Sequence, residues 1–392
     1  MSAPQPQHRI ELAVHEGEGD LMLVNFGPQH PSTHGVFRIK LLLDGEIVVK
    51  AVPYPGFLHR GVEKLAERLT FTQLGPIVDK NDYIAPMTNE QAIFMAFEKL
   101  LGIEVPRRAR WMRTLFAELQ RVASHLLWLG TFALDLGGAL GGGATVFLYC
   151  FRERELVLDL FEEVTGARFH YNTHTMGGNR HDLPAGYAQK VHATLDVIAA
   201  RLVEYEHLTS TNRIFDVRTR GVGTISSELA LGLGLTGPVL RASGVDHDLR
   251  RDAPYGAYDE VPVNVMTETS GDCLARALVR IREMTESIRL ARALIDGMPE
   301  GPICGAKAIK TPTQFKAASG QVYVGIETPR GELGTYVIAG GNERGAAPYR
   351  LKIRPPSYHA MSVLPYVLPG HMVSDVVAIL GSLDPIMGEV DR

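Results

Sequence analysis

Two histidines stand in a short loop near the start of the sequence, where residues 27–35 read Gly-Pro-Gln-His-Pro-Ser-Thr-His-Gly. Two prolines and two glycines disfavour regular structure, and such loops often carry functional groups. The spacing of His30 and His34 resembles a helical zinc-binding pair, but Pro31 prevents a regular helical turn that carries both. Two interpretations stay open: a functional imidazole pair, or two loop histidines bonded to the backbone.

Other candidate groups are scattered along the chain. His170, His174 and His181 lie near a Gly-Gly pair, but no cysteine or clustered carboxylates accompany them, which favours a packed or solvated loop over a metal site. Asp135 stands in an otherwise apolar stretch, so its carboxylate must be paired, hydrogen-bonded or neutral. A structural ion pair and a functional role are equally compatible with that position.

Residues 232–237 match the pattern G-x-G-x-x-G, which can bind dinucleotides. That function needs a preceding strand and a following helix. Here the preceding residues 226–231 have a helical pattern and Pro238 follows at once. We therefore expect no nicotinamide site at this segment.

The composition limits the remaining function classes. The chain has 392 residues, 45% of them hydrophobic, which is enough for a large buried core. Its net charge of −4 argues against a nucleic-acid partner. Its three cysteines, Cys150, Cys273 and Cys304, are far apart, which indicates a reducing compartment, and they are too few to hold an iron–sulfur cluster alone. No signal peptide and no uninterrupted apolar run of about 18 residues is present, so we expect only peripheral membrane contact, through partners.

The elements that must position these groups are strands at both ends and helices between them. Asp44-Gly45 predicts a hairpin joining 36–43 and 46–52. Thr88 to Gln91 reads as a capping box that starts a helix ending at Gly102. The segment 126–151 reads as a buried helix followed by a flexible glycine-rich loop. Apolar spacing predicts further helices over 107–134, 152–165, 187–210 and 273–297, and strands over 321–327, 333–338 and 349–354.

This order of elements predicts an α+β fold with a mainly helical core. We expect the N-terminal and C-terminal strands to form one small β-sheet region. The predicted divisions are a loose segment 1–20, an N-terminal β region 21–65 with the histidine loop, a helical core 66–300, and a C-terminal β region and tail 301–392.

The histidine loop matches a motif of the quinone-site subunit of proton-pumping NADH:quinone oxidoreductase (respiratory complex I), known as the 49-kDa subunit. The resemblance extends along nearly the whole chain, through residues 58–64, 82–83, 151–155, 235–244, 330–334 and 382–392. It implies a fold similar to the large subunit of nickel–iron hydrogenases. Three features depart from the family: Lys80 stands where an arginine is usual, the glycine-rich loop after Asp135 is longer, and the segment between Pro302 and Gln321 is shorter.

The comparison with hydrogenases predicts that this chain holds no metal. Asp82, Ala85, Ile386 and Glu389 stand at the four thiolate positions, and Arg392 replaces a histidine. Without thiolates a nickel–iron centre cannot be built. A hydrogenase-like metalloenzyme is therefore the weaker alternative, and a scaffold subunit without quinone chemistry is another.

The resemblance also implies roles for individual residues. Tyr83 and His34 resemble the pair that hydrogen-bonds the quinone carbonyls and supplies protons, and Asp135 resembles the carboxylate that orients this histidine. Arg60 and His170 resemble residues beside the terminal 4Fe-4S cluster, which a partner subunit holds. His30, in the same loop as His34, is expected to contribute to binding.

The implied function is quinone reduction with electrons from NADH, coupled to proton translocation. The quinone, ubiquinone or menaquinone, is the substrate, and this chain binds no cofactor covalently. The implied partners are the small iron–sulfur subunit (B), the 30-kDa subunit (C), the ferredoxin-like subunit (I) and the membrane subunit at the quinone channel entrance (H). The implied location is the cytoplasmic side of a bacterial inner membrane, as a peripheral protein.

Overall fold

The computed structural model describes residues 21–30, 35–137, 143–307, 315–317, 319–340 and 346–392. The strands in these ranges are β1 (Leu21–Phe26), β2 (Gln29–His30), β3 (Gly35–Val36), β4 (Arg38–Asp44), β5 (Ile47–Tyr54), β6 (His174–Thr175), β7 (Gly178–Asn179), β8 (Gln321–Thr328), β9 (Gly331–Ile338) and β10 (Arg350–Arg354). The helices are α1 (Val62–Ala66), α2 (Gly75–Val78), α3 (Pro86–Leu101), α4 (Arg107–Gly137), α5 (Gly143–Thr165), α6 (Tyr187–Thr211), α7 (Arg213–Thr219), α8 (Ser227–Gly232), α9 (Gly237–Ala242), α10 (Leu249–Asp252), α11 (Cys273–Asp296), α12 (Pro356–Met361), α13 (Leu364–Val367), α14 (Val373–Ser382) and α15 (Met387–Asp391). This mixture of helices and small sheets confirms the α+β class.

The helical core is built around α4, which packs against α5 and α11, while α11 also packs against α6. Buried apolar side chains recur along α4 at helical spacing, as at Leu115, Leu119, Val122, Leu126 and Leu129. Each such side chain removed from water contributes about 2 kcal/mol to folding. Burial along one long helix therefore explains why the helical elements collect around it.

The helix α5 begins at Gly143, nine residues before its predicted start at residue 152. A Cβ on Gly143 would stand 2.1 Å from the carbonyl oxygen of Ala133 in α4. Glycine thus permits a close approach of the two helices at this point. The sequence suggested a flexible loop because glycine weakens an isolated helix, but packing against α4 favours the helix here.

The predicted hairpin at Asp44-Gly45 is confirmed, and Gly45 has the positive φ of 59° that the turn needs. However, the two ends of the chain do not share a sheet. One sheet has the order β1-β4-β5 and another has the order β10-β9-β8. The prediction of one region was wrong because the ends meet through side chains: Glu63 in α1 binds Lys352 at 3.0 Å and accepts the backbone N–H of Ile353 at 3.0 Å.

Two local predictions have different outcomes at helix ends. The helix α3 ends at Gly102, which has a φ of 60°, as expected. The capping box at Thr88 was wrong, because α3 already begins at Pro86 and the Thr88 hydroxyl donates to the carbonyl of Ala85. Proline at the first helical position is pre-organised for a helix start. The G-x-G-x-x-G segment lies between α8 and α9, so the expected absence of a strand before it is confirmed.

Candidate functional site

Tyr83 lies in the turn between α2 and α3, and its neighbours hold that turn in place. The Asp82 carboxylate accepts the backbone N–H groups of Ile84 and Ala85, each at 3.1 Å. The Asn89 side chain donates to the Asp82 carbonyl at 3.2 Å. These bonds satisfy polar groups at the start of α3, so the position of Tyr83 is determined by the helix that follows it.

The guanidinium of Arg330 is the centre of the buried polar cluster next to this turn. It donates to the Asp82 carboxylate at 2.6 Å and to the Asp384 carboxylate at 3.3 Å. Burial opposes its charge, but Asp384 and Asp82 raise the pKa of Arg330 overall. Burial raises the pKa of Asp82, and Arg330 acts against that shift. A permanent cation therefore lies between two carboxylates in the core.

The C-terminal helix α15 closes this cluster on another side. Its backbone passes so near the turn that a Cβ on Gly388 would stand 2.7 Å from the Asn81 carbonyl and 3.3 Å from the Tyr83 ring. Glu389 is buried and accepts a hydrogen bond from the Ser357 hydroxyl. Burial and the nearby Asp82 raise the pKa of Glu389 to about 8. The carboxyl group of Glu389 is thus mainly neutral at pH 7 and can exchange a proton near that pH.

The phenol of Tyr83 is half-buried and makes no hydrogen bond to the described residues. Burial and the charge of Asp82 raise its pKa, so it stays a neutral O–H donor at physiological pH. A half-buried donor without a protein partner can donate to the carbonyl oxygen of a ligand.

The histidine loop is described only at its two ends. In β2 and β3, His30 pairs with Gly35 through the backbone. A Cβ on Gly35 would stand 3.5 Å from the Met387 side chain, and Met387 precedes the glycine that contacts Tyr83. The end of the loop is therefore close to α15. His34 and the side chain of His30 lie outside the described residues, so their predicted roles stay predictions.

Arg60 and His170 come together next to the segment that carries Tyr83. Arg60 donates to the Asn81 side chain at 2.7 Å, and the His170 Nδ1 is 3.5 Å from the Asp79 carboxylate. Burial, followed by the charges of Lys80 and Arg60, lowers the pKa of His170. Burial raises the pKa of Asp79 to about 6. Arg60 and His170 are both partly exposed, so they can contact another protein.

The remaining sequence candidates are apart from this pair. Asp135 is half-buried in the last turn of α4. His174 is fully buried, with its Nδ1 2.9 Å from the Asn179 side-chain oxygen, as a packed histidine would be. Among the described residues, no three His, Cys, Asp or Glu side chains form a group suited to a metal ion. None of the helices in the described ranges has the length and apolar character needed to cross a membrane.

Sequence reasoning assigned no role to Arg330, Asp384 or Ser357, which complete the cluster. Arg330 is 248 positions from Asp82 in the chain. A signal did exist, because Arg330 and Asp384 both fall in motifs, 330–334 and 382–392, that resemble the family. The motifs marked these segments without indicating that they meet.

Comparisons with known proteins agree with this arrangement. Residues 141–392 match the family described as respiratory-chain NADH dehydrogenase, 49 Kd subunit. The chain is 46% identical to the NADH-quinone oxidoreductase D-type subunit numbered 2 of Rhizobium etli, covering 97% of this chain and 99% of the relative. It is 47% identical to the NADH-quinone oxidoreductase D-type subunit of Dehalococcoides mccartyi, covering 94% of this chain and 98% of the relative. With a family match over more than half its length and relatives aligned almost end to end, the chain belongs to the family of the 49-kDa subunit of respiratory-chain NADH dehydrogenase.

Proposed function

We propose that this subunit forms the site at which a quinone is reduced, with the Tyr83 phenol as one of the two proton donors. The observation that carries the proposal is the unpartnered, half-buried hydroxyl of Tyr83 beside a buried cluster of charged groups. Reduction of a quinone to a quinol takes two electrons and two protons, so a donor at each carbonyl lowers the barrier. His34 supplies the second proton, and Asp135 holds that imidazole in a protonated form.

The buried carboxyl groups near Tyr83 suit a site that handles protons. Glu389, with its pKa near 8, holds a proton close to the turn that carries Tyr83. Arg330 balances the charges of Asp82 and Asp384, so a proton can leave the phenol without a large change in the field of its surroundings. The quinone headgroup would bind between this turn and the histidine loop.

Electrons reach the quinone from a 4Fe-4S cluster in the small iron–sulfur subunit, on the face formed by Arg60 and His170. The support is their proximity and partial exposure, because a cation and a polarised imidazole beside a cluster raise its reduction potential. The 30-kDa subunit, the ferredoxin-like subunit and a membrane subunit complete the surroundings. Electron transfer is coupled to proton translocation, with this subunit on the cytoplasmic side of the membrane.

We further propose that the fold is that of a hydrogenase large subunit in which a charged cluster has replaced the metal. Asp82 and Glu389, at two former thiolate positions, converge on the buried Arg330. A guanidinium among carboxylates supplies a fixed positive charge without ligand thiolates. This convergence favours the quinone site over the hydrogenase-like alternative.

The test is Tyr83→Phe in the assembled complex. The change removes one hydroxyl and almost no volume, so it leaves packing intact. We expect reduction of the clusters by NADH at the normal rate, and quinone reduction slowed by about 10²–10⁴-fold. Tyr366→Phe is a matched control, because Tyr366 is 62% exposed on α13 and should not affect turnover.

Normal turnover of Tyr83→Phe with a short-chain quinone would contradict the proposed role. If the complex assembled but neither wild type nor variant reduced quinone while NADH still reduced the clusters, the scaffold alternative would be correct.

A further inference from the structure

A groove runs between α3 and the outer edge of β8, away from Tyr83 and its cluster. It has a volume of about 410 Å³. Gln91, Met95 and Lys99 of α3 line one side at intervals of one helical turn, and residues 323–325 of β8 line the other. The stretch of α3 from Gln91 to Lys99 is about 12 Å long. That length equals about four residues of an extended chain.

The strand β8 is an edge strand among the described residues, since its sheet has the order β10-β9-β8. Its pairing with β9 is continuous, so alternate residues direct their backbone groups away from β9. Glu327 is one of them, because its N–H donates to the Tyr255 hydroxyl at 2.9 Å and its carbonyl accepts from Arg121 at 2.7 Å. By the same alternation Gly325 and Tyr323 direct their N–H and C=O groups into the groove.

The ends of the groove differ. At the Tyr255 end, side chains satisfy the outward backbone groups of Glu327. At the other end the exposed Lys99 reaches the Tyr323 carbonyl only at 3.5 Å. Between them, no described residue caps Gly325. A row of outward-facing peptide groups without partners is a template for pairing with another chain.

Gln91 adds a second group with the same need. It is 1% exposed, and neither its amide nitrogen nor its amide oxygen has a hydrogen-bond partner among the described residues. A side-chain amide offers N–H donors and a C=O acceptor, which match the C=O and N–H of one peptide unit. A buried amide without partners costs about 1–3 kcal/mol, which a bound peptide would recover.

The charges along the groove select the kind of peptide. Lys99 and Arg110 line it, together with Arg113, whose charge is matched by Glu98 at 2.8 Å. The nearest carboxylate to Arg110 is Glu260, at 3.7 Å, and that carboxylate is already bound by Arg107. The unmatched charge of the groove is therefore positive, so it suits an acidic segment.

We propose that the groove binds an extended, acidic segment of another subunit of the NADH dehydrogenase complex, which adds a strand to the edge of β8. About four residues of that segment pair with Tyr323 and Gly325, and one of its peptide units binds the Gln91 amide. Its carboxylates lie near Lys99 and Arg110. The proposal rests on membership of a multi-subunit complex and does not depend on the proposed quinone site.

The experiment uses the purified complex with Met95→benzoylphenylalanine as a photo-cross-linker in the groove. We expect a cross-link to an acidic segment of a different subunit, identified by mass spectrometry of the product. Gly325→Pro removes the outward N–H and should lower the cross-link yield at least tenfold, while the strand persists because an edge strand tolerates proline where the N–H faces outward. Gly325→Ala is the matched control and should leave the yield within twofold, since its Cβ meets only the flexible end of Glu332.

Hydrogen exchange keeps the test decisive if the proline variant is poorly formed. In the unmodified complex the Gly325 amide should exchange at least a hundredfold more slowly than an unpaired amide. Rapid exchange there, or cross-links confined to this chain, would overturn the proposal. So would an equal cross-link yield in the proline and alanine variants when the Val324 and Ile326 amides, on the β9 side, stay protected. Quinone reductase activity of the same samples reports separately on Tyr83.

Discussion

The ionisation of Glu389 should be visible in the local stability of α15. Its side chain is buried, and one carboxyl oxygen has no hydrogen-bond partner among the described residues. Burial and Asp82 raise its pKa from 4.5 to about 8. When α15 opens to solvent, the carboxyl group returns to its ordinary pKa. The closed state therefore binds more protons than the open state between about pH 4.5 and about pH 8.

The sign of the effect follows from this difference. Because the closed state binds the extra proton, the free energy of opening is largest below about pH 4.5 and falls as pH rises to about 8. The fall is about 1.4 kcal/mol for each pH unit, which is tenfold in the opening equilibrium. Between about pH 6 and about pH 7.5, protection of the α15 amides should decrease about 30-fold.

Hydrogen exchange of the purified complex, corrected for the intrinsic pH dependence of exchange, measures this directly. Glu389→Gln replaces the carboxyl group by a neutral amide of nearly the same shape. We expect protection of Val390 and Arg392, whose N–H groups donate to Ile386 and Gly388, to become independent of pH in the variant. Peptides from α6 serve as an internal control.

Two results would refute the reasoning. One is a wild-type slope equal to that of Glu389→Gln, which would mean that Glu389 titrates normally in the folded state. The other is a slope of opposite sign, with α15 more protected at higher pH, which would mean that Glu389 is held as an anion.

Three further predictions concern the same region. Arg330→Met leaves Asp82 and Asp384 without their cation, so we expect a loss of about 3–5 kcal/mol, measured as reduced yield of assembled complex, with partial recovery in Arg330→Met/Asp82→Asn; a double variant as poor as the sum of the single ones would contradict the pairing. Asp135→Asn should lower quinone reductase activity and move its pH optimum to lower pH, and its effect should be non-additive with that of His34→Ala, because both remove one interaction. Strictly additive losses with an unmoved pH profile would show that the two residues act independently. The purified chain should contain no stoichiometric nickel, iron or zinc in elemental analysis, because its hydrogenase-type positions lack thiolates; one tightly bound metal per chain would disprove this.

The features that the sequence predicted correctly depend on neighbouring residues. Asp44-Gly45 specifies its turn because the two residues tolerate positive φ, and Gly102 ends α3 for the same reason. The amphipathic spacing of α4 is likewise a property of one continuous segment. Motifs of the family also marked Tyr83, Arg60 and His170, and the structure places Arg60 and His170 beside the segment that carries Tyr83.

The features that only the tertiary structure decided depend on residues far apart in the chain. The glycine-rich start of α5 is helical because Gly143 can approach α4, and no local pattern contains that contact. The two ends form separate sheets because Glu63 joins them through its side chain. Arg330 meets Asp82 across 248 positions, and burial of that pair, with Asp384 and Glu389, sets the charges around Tyr83. Desolvation and ion pairing act over distances in space, so the sequence identifies the groups while the fold determines their chemistry.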